Sequence, residues 1–248
     1  MKVIKKSTFF CLLTIILVTA SGCYKDYVQA ELPPKQTCPG IPEVEYGGEV
    51  YPTVLIGDRC WLAKNLNVGK RIDHDIESSD NDTIQKYCMY NLEAYCDYYG
   101  GLYQWDELMQ YDATGNGQGI CPDGWRIPTV EDYALLFNYT QGAVKPLEKQ
   151  YVCWYGNKFE NPQDTCNRNG GQTGFDLLPA GYIDLDFSER FFGVDYSTNL
   201  WIAGQKYLSI HGSSWGTYED PTNNLKTDFK SVRCVKTLNG SSDHESLK

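Results

Sequence analysis

The apolar and polar positions change period along the chain, and the changes divide it. Val50 to Ile56 is a β-branched run that ends at Gly57-Asp58, a turn signal, and Cys60 to Ala63 follows as its hairpin partner. Ile72 to Asp82 is acidic and rich in breakers, so it reads as a surface loop. Leu102 to Met109 places apolar residues at 102, 105, 108 and 109, the spacing of one helix face. Ala113 to Gly119 is a glycine-punctuated connection, and Ile120 to Pro128 reads as a tight turn that delivers Trp125 and then starts a helix. Thr129 is the expected N-cap of that helix, with Asp132 at the N3 position of a capping box. Val130, Tyr133, Ala134, Leu136 and Phe137 form its buried face. Beyond Asn138 no helical period persists. Phe175 to Leu178, Leu200 to Ala203, Tyr207 to Ile210 and Phe229 to Val235 read as short strands. Two helices followed by a loop-rich β half predict an α+β domain with short antiparallel strands and no internal repeat.

The first residues carry a different pattern. Lys2, Lys5 and Lys6 precede an apolar stretch, Phe9 to Val18, and then Ala20-Ser21-Gly22-Cys23. A run this short is expected to be a secretory signal, residues 1–22, rather than a spanning helix. Small residues before a cysteine resemble a lipobox, with Ala20 where leucine is commoner, so Cys23 is the expected lipidation site, acylated with palmitate. Lys25-Asp26 resembles a surface-export signal, and the expected location is the outer membrane or surface of a Gram-negative cell. Residues 23–43 hold Pro33, Pro34, Pro39 and Pro42 and read as an extended tether; residues 238–248 read as a polar tail.

Composition sharpens this. Removing the three N-terminal lysines leaves 19 basic against 32 acidic side chains, a net charge of −13 with no basic stripe, which argues against nucleic acid as a partner. Nineteen Tyr, six Trp and 23 Gly favour short strands and ordered loops. Setting aside Cys11 and Cys23, eight cysteines remain, an even number that reads as disulfides in an exported chain. Cys88 and Cys96 bracket one short loop, and Cys153 and Cys166 bracket another. Cys121 and Cys234 would pair across the domain, which leaves Cys38 and Cys60 to tie the tether to the first strands. There is no C-x-x-C, and His74, His211 and His244 are isolated, so the spacing does not suit zinc.

Five ordered blocks resemble one family. Cys60 to Asn67 is similar to W-[ML]-A-x-N-L-N, Tyr99 to Trp105 to Y-G-x-L-Y-x-W, and Cys121 to Pro128 to C-P-x-G-W-x-[IL]-P. Gly174 to Tyr182 is similar to G-F-x-x-L-P-A-G-Y, and Ser231 to Val235 to S-V-R-C-V. This is the pattern of the Fibrobacter succinogenes major paralogous domain, covering residues 44–237. The usual F-W-S-S-T block is absent, and Leu200 to Ala203 stands near its place. The resemblance implies a C-type-lectin-like fold with long disulfide-tied loops, shared with formylglycine-generating enzymes, and an extracytoplasmic setting. It implies no reaction.

The functional expectation is a surface-anchored, non-catalytic module that binds an extracellular glycan or protein in an adhesion-type role. The alternative is a structural subunit of a surface appendage or envelope complex; a formylglycine-generating-like enzyme is disfavoured because every cysteine has a structural use and no catalytic constellation stands out. No cofactor is expected. Calcium would need converging oxygens, and Glu160 to Asp164 matches neither E-P-N nor Q-P-D. The candidate ligand-binding residues are aromatics of the long loops: Trp154 and Tyr155 first, because the loop around them is polar, then Trp201, Trp215 and Tyr218.

Overall fold

The computed structural model describes residues 31–112, 117–154, 170–188, 190–219 and 227–238. Strands β1 (Glu43–Tyr46), β2 (Glu49–Ile56) and β3 (Arg59–Leu62) form two successive hairpins. Gly57 makes the second turn at φ +62°, a conformation that glycine adopts without steric cost. After the two-residue parallel pair β4 (Lys70–Arg71) and β5 (Gln85–Lys86) come α1 (Glu93–Tyr99), β6 (Leu102–Tyr103), α2 (Trp105–Leu108) and α3 (Val130–Tyr139). The second half is strand: β7 (Ala180–Asp184), β8 (Phe191–Val194), β9 (Ser197–Ile202), β10 (Lys206–His211), β11 (Ser214–Glu219), β12 (Asp228–Ser231) and β13 (Val235–Thr237).

Among the described residues the strands make a four-stranded sheet, β1-β2-β3-β13, and a seven-stranded sheet, β11-β10-β9-β12-β7-β8, in which β6 also pairs with β12. The last strand therefore closes the first sheet. The architecture is α+β in the broad sense, mostly antiparallel sheet with three short helices among the described residues.

Four expectations change. Leu102 and Tyr103 do not start a helix; their backbones pair with Ser231 and Lys230, and only one helical turn follows. Phe175 to Leu178 is not a strand, although Leu177 bridges Glu148, and pairing begins at Ala180. Phe229 to Val235 is two strands, because the chain crosses from one sheet to the other at 232–234. The loop read between Cys88 and Cys96 contains the start of α1 instead. The capping box at Thr129 is present: its hydroxyl accepts from the Asp132 amide, and the Asp132 carboxylate accepts from the Thr129 amide at 2.7 Å. Gln36 bridges Leu55 and Cys38 is buried, so residues from 36 onward lie on the first sheet.

Disulfides Cys38–Cys60, Cys88–Cys96 and Cys121–Cys234 are all formed. Cys153 is also disulfide-bonded, and its expected partner Cys166 lies outside the described residues, as does Cys23.

The core has three parts. Trp105, Trp125, Trp201 and the Cys121–Cys234 bond fill one; α3 covers a second containing Trp61, Leu200, Ile202, Leu208 and Ile210; Tyr87, Leu102, Ile183 and Phe229 make a smaller third. Arg233 is fully buried at the crossing between the sheets. Its guanidinium donates to Asn65 Oδ1 (2.9 and 3.1 Å), to the Leu62 carbonyl (3.0 Å) and to the Phe175 carbonyl (2.5 Å), and it lies 4.4 Å from the Phe175 ring centre. Burial lowers its pKa to about 10, so it remains a cation, held by neutral acceptors.

Candidate ligand-binding groove

Side chains alternate across a strand, so each strand of the large sheet offers one set to the core and one to the opposite face. Leu200, Ile202, Leu208 and Ile210 point into the core under α3, and Ile183 and Phe229 into the smaller cluster. Apart from Trp201, which belongs to the first part of the core, the alternate positions that face the groove are polar or phenolic. Ser197 and Asn199 of β9, Ser209 and His211 of β10, and Asp228 and Lys230 of β12 line a groove of about 270 Å³. Tyr182 and Asp184 of β7 form one wall, and Tyr207 and Tyr218 of β10 and β11 the other.

Each wall is an aromatic pair. Tyr207 and Tyr218 stack with centres 5.5 Å apart at 25°, and Tyr182 stacks on Phe192 of β8 at 5.4 Å and 18°. The β7–β8 pairing that holds the second wall depends on Gly181, at φ +68°, where a Cβ would come 2.3 Å from the Phe192 carbonyl oxygen. The floor is charged but screened. Lys230 is 1 % exposed, sits 4.3 Å from the Trp201 ring centre and 4.6 Å from that of Tyr207, and pairs with Asp228. Asp228 is the cross-strand neighbour of Asp184. Burial, then Asp184 and Asp228, raise the Tyr182 pKa, so its phenol stays protonated. At the centre, Asn199 is 5 % exposed and its Oδ1 has no hydrogen-bond partner.

The sequence candidates separate. Trp154 is corrected from ligand contact to core: it is 5 % exposed and packs with Leu147, Phe175 and Leu177, because its place beside Cys153 puts it at the base of its loop. Tyr155 lies outside the described residues. Trp201 is likewise core, fully buried, its indole N–H donating to the Tyr103 carbonyl at 2.8 Å. Trp215 is 39 % exposed, but its ring stacks on Phe137 at 3.7 Å and its N–H donates to the Gly142 carbonyl, so it fastens β11 to the end of α3. Tyr218 stands in the groove wall and is the candidate that the structure joins to others. Asn199, Tyr207, Asp184, Asp228 and Lys230 were not singled out. Tyr207 to His211 carries an alternation that marks the groove face of β10, but Ser197 to Ile202 runs polar and then apolar without a period, and a strand begun at Leu200 leaves Asn199 out. The Glu160 to Asp164 stretch lies outside the described residues, and among those described no cluster of three or more His, Cys, Asp or Glu could hold a metal ion. No helix among them is long and apolar enough to cross a membrane.

A family model, the Fibrobacter succinogenes major domain, matches residues 54–236. No curated protein and no solved structure matches the chain.

Proposed function

This chain belongs to the Fibrobacter succinogenes major domain family, and from that premise we propose that it is a non-catalytic module that binds an extracellular ligand in the groove of its large sheet. The carrying observation is the Asn199 Oδ1, a buried acceptor without a donor at the floor of a polar groove between two aromatic walls. Leaving such an atom dry costs about 1–3 kcal/mol, a cost a ligand hydroxyl or amine removes on binding. Aromatic walls supply contact area at little entropic cost.

The reading includes a C-type-lectin-like fold, supported by the closure of the first sheet by the last strand and by the disulfide that ties them to the middle of the chain. It also includes secretion and lipid anchoring at Cys23 in the outer membrane, supported by the basic, apolar and small-residue order of the N-terminus. Cys23→Ala should abolish incorporation of labelled palmitate; equal labelling of both forms would refute the anchor.

The test of the groove is the double variant Asn199→Ala with Tyr218→Ala in the mature domain. Truncating an interface anchor costs at least about 2 kcal/mol, roughly thirtyfold in Kd. Attachment to host cells or matrix arrays should fall by that order, with the melting temperature unchanged. Undiminished attachment would remove the groove as the binding site.

A further inference from the structure

The register of the large sheet sets the groove floor in rows, because residues directly opposite on paired strands share a face. Asn199 of β9 stands opposite Ser209 of β10, and Ser209 opposite Gly216 of β11. The next row is aromatic: Trp201, Tyr207 and Tyr218 in the same strand order. Gly216 has no side chain to fill the end of the first row, and the Tyr218 ring lies back over it. A Cβ at 216 would come 3.1 Å from the phenol oxygen and 3.2 Å from two ring carbons. The Tyr218 hydroxyl is thereby carried from its own row to the end of the polar one. At the other end is the buried Asn199 Oδ1, to which no protein group donates. Adjacent strands lie about 4.8 Å apart, so roughly 10 Å separates the backbones that carry the two ends.

We infer that the groove takes an N-acetylated saccharide, with one acetamido group laid along this row; this rests on the binding reading above. A secondary amide is trans and planar, so its N–H and its C=O point in opposite directions. A donor and an acceptor on opposite edges match an acceptor at one end of the row, Asn199 Oδ1, and a hydroxyl, which takes either role, at the other. Ser209 between them is short enough to lie beneath the amide. A plain sugar hydroxyl in the same place is a single oxygen and meets only one end. The ring that carries the amide lays a C–H face on the Tyr207–Tyr218 pair. At about 270 Å³ the groove is at the small end of ligand sites, room for one such ring and its substituent. A peptide offers the same amide, but its side chains ask for a longer cleft, and flat stacked walls favour a ring.

Titration calorimetry on the mature, disulfide-intact domain tests this with chitohexaose and cellohexaose, which share a backbone and differ in carrying an acetamide or a hydroxyl on each ring, and with the peptide acetyl-Gly-Ser-Gly-Ser-amide. Chitohexaose should bind at least about tenfold more tightly than cellohexaose. Tyr218→Phe keeps the stacked ring and removes only the hydroxyl, so it should weaken chitohexaose several-fold and leave cellohexaose unchanged. Gly216→Val, which displaces the Tyr218 ring from the row, should weaken chitohexaose at least as much with the melting temperature unchanged. Equal affinity for the two hexamers, or tighter binding of the peptide, would overturn the proposal. If no probe binds while cell attachment still depends on Asn199 and Tyr218, the acetamido assignment falls and the groove stands. If attachment is indifferent to those residues, the groove itself falls.

Discussion

Two buried polar residues have opposite consequences when truncated. Arg233 makes four hydrogen bonds to acceptors from two distant parts of the chain, Leu62 with Asn65 on one side and Phe175 on the other. Arg233→Met would leave those acceptors dry at about 1–3 kcal/mol each, so the melting temperature should fall by roughly ten degrees or more. Asn199 holds an acceptor to which no protein group donates. Asn199→Ala removes it, so calorimetric unfolding should give a melting temperature equal to or above that of the wild type while binding is lost. A stabilised, non-binding variant is the behaviour of a site residue kept at the expense of stability; a large fall would make Asn199 a frame residue. Arg233 was legible as part of S-V-R-C-V. Asn199 was not, because it ends a polar run, Ser197-Thr198-Asn199, with no period that places it on one face until the register of β9 is known.

At the scale of elements, α3 was the most legible piece and shows why. Its period, its N-cap and its N3 residue all agree, and the structure adds that Asp132 serves two arginines as well as the cap. Burial pushes the Asp132 carboxyl up, but hydrogen bonds from Arg126, Thr129 and Arg59 outweigh it and hold the pKa below the usual carboxylate range. A carboxyl depressed in the folded state adds stability above its unfolded pKa, about 4, and loses that stability as pH falls through the folded value. Acid titration followed by circular dichroism should show this loss below about pH 4 in the wild type and a flatter profile in Asp132→Asn. That variant should be less stable at neutral pH by about 1–3 kcal/mol, since it removes the charge of a buried carboxylate that pairs with two partly exposed arginines. The elements that were misread, Leu102–Tyr103 and Phe229 to Val235, are those whose conformation is set by distant strands. Local spacing cannot report that Leu102 pairs with Ser231. The same limit applies to Trp154: the polar loop that follows it says nothing of the apolar cluster brought against it by Leu147 and Phe175.

Across the whole molecule the family blocks and the groove divide the work. Asn65, Phe175 and Arg233 come from the first, fourth and fifth blocks and meet in one hydrogen-bonded knot, while Cys121 of the third is bonded to Cys234 of the fifth. Of the groove lining only Tyr182 belongs to a block, so the blocks specify a frame and the residues between them specify the site. The Cys121–Cys234 bond spans 113 residues, and a closure of that length is worth about 4–5 kcal/mol in the chain-entropy model. Replacing both cysteines with alanine should therefore lower stability by that order in denaturant titration, without a direct effect on the groove. The measurement that bears most directly on the groove is a residue-resolved NMR titration of the mature domain with a glycan such as chitohexaose. Amide shifts concentrated at Ser197 to Asn199, Tyr207 to His211, Tyr218 and Asp228 to Lys230 are predicted. Shifts confined to residues 155–169, with those strands silent, would contradict it.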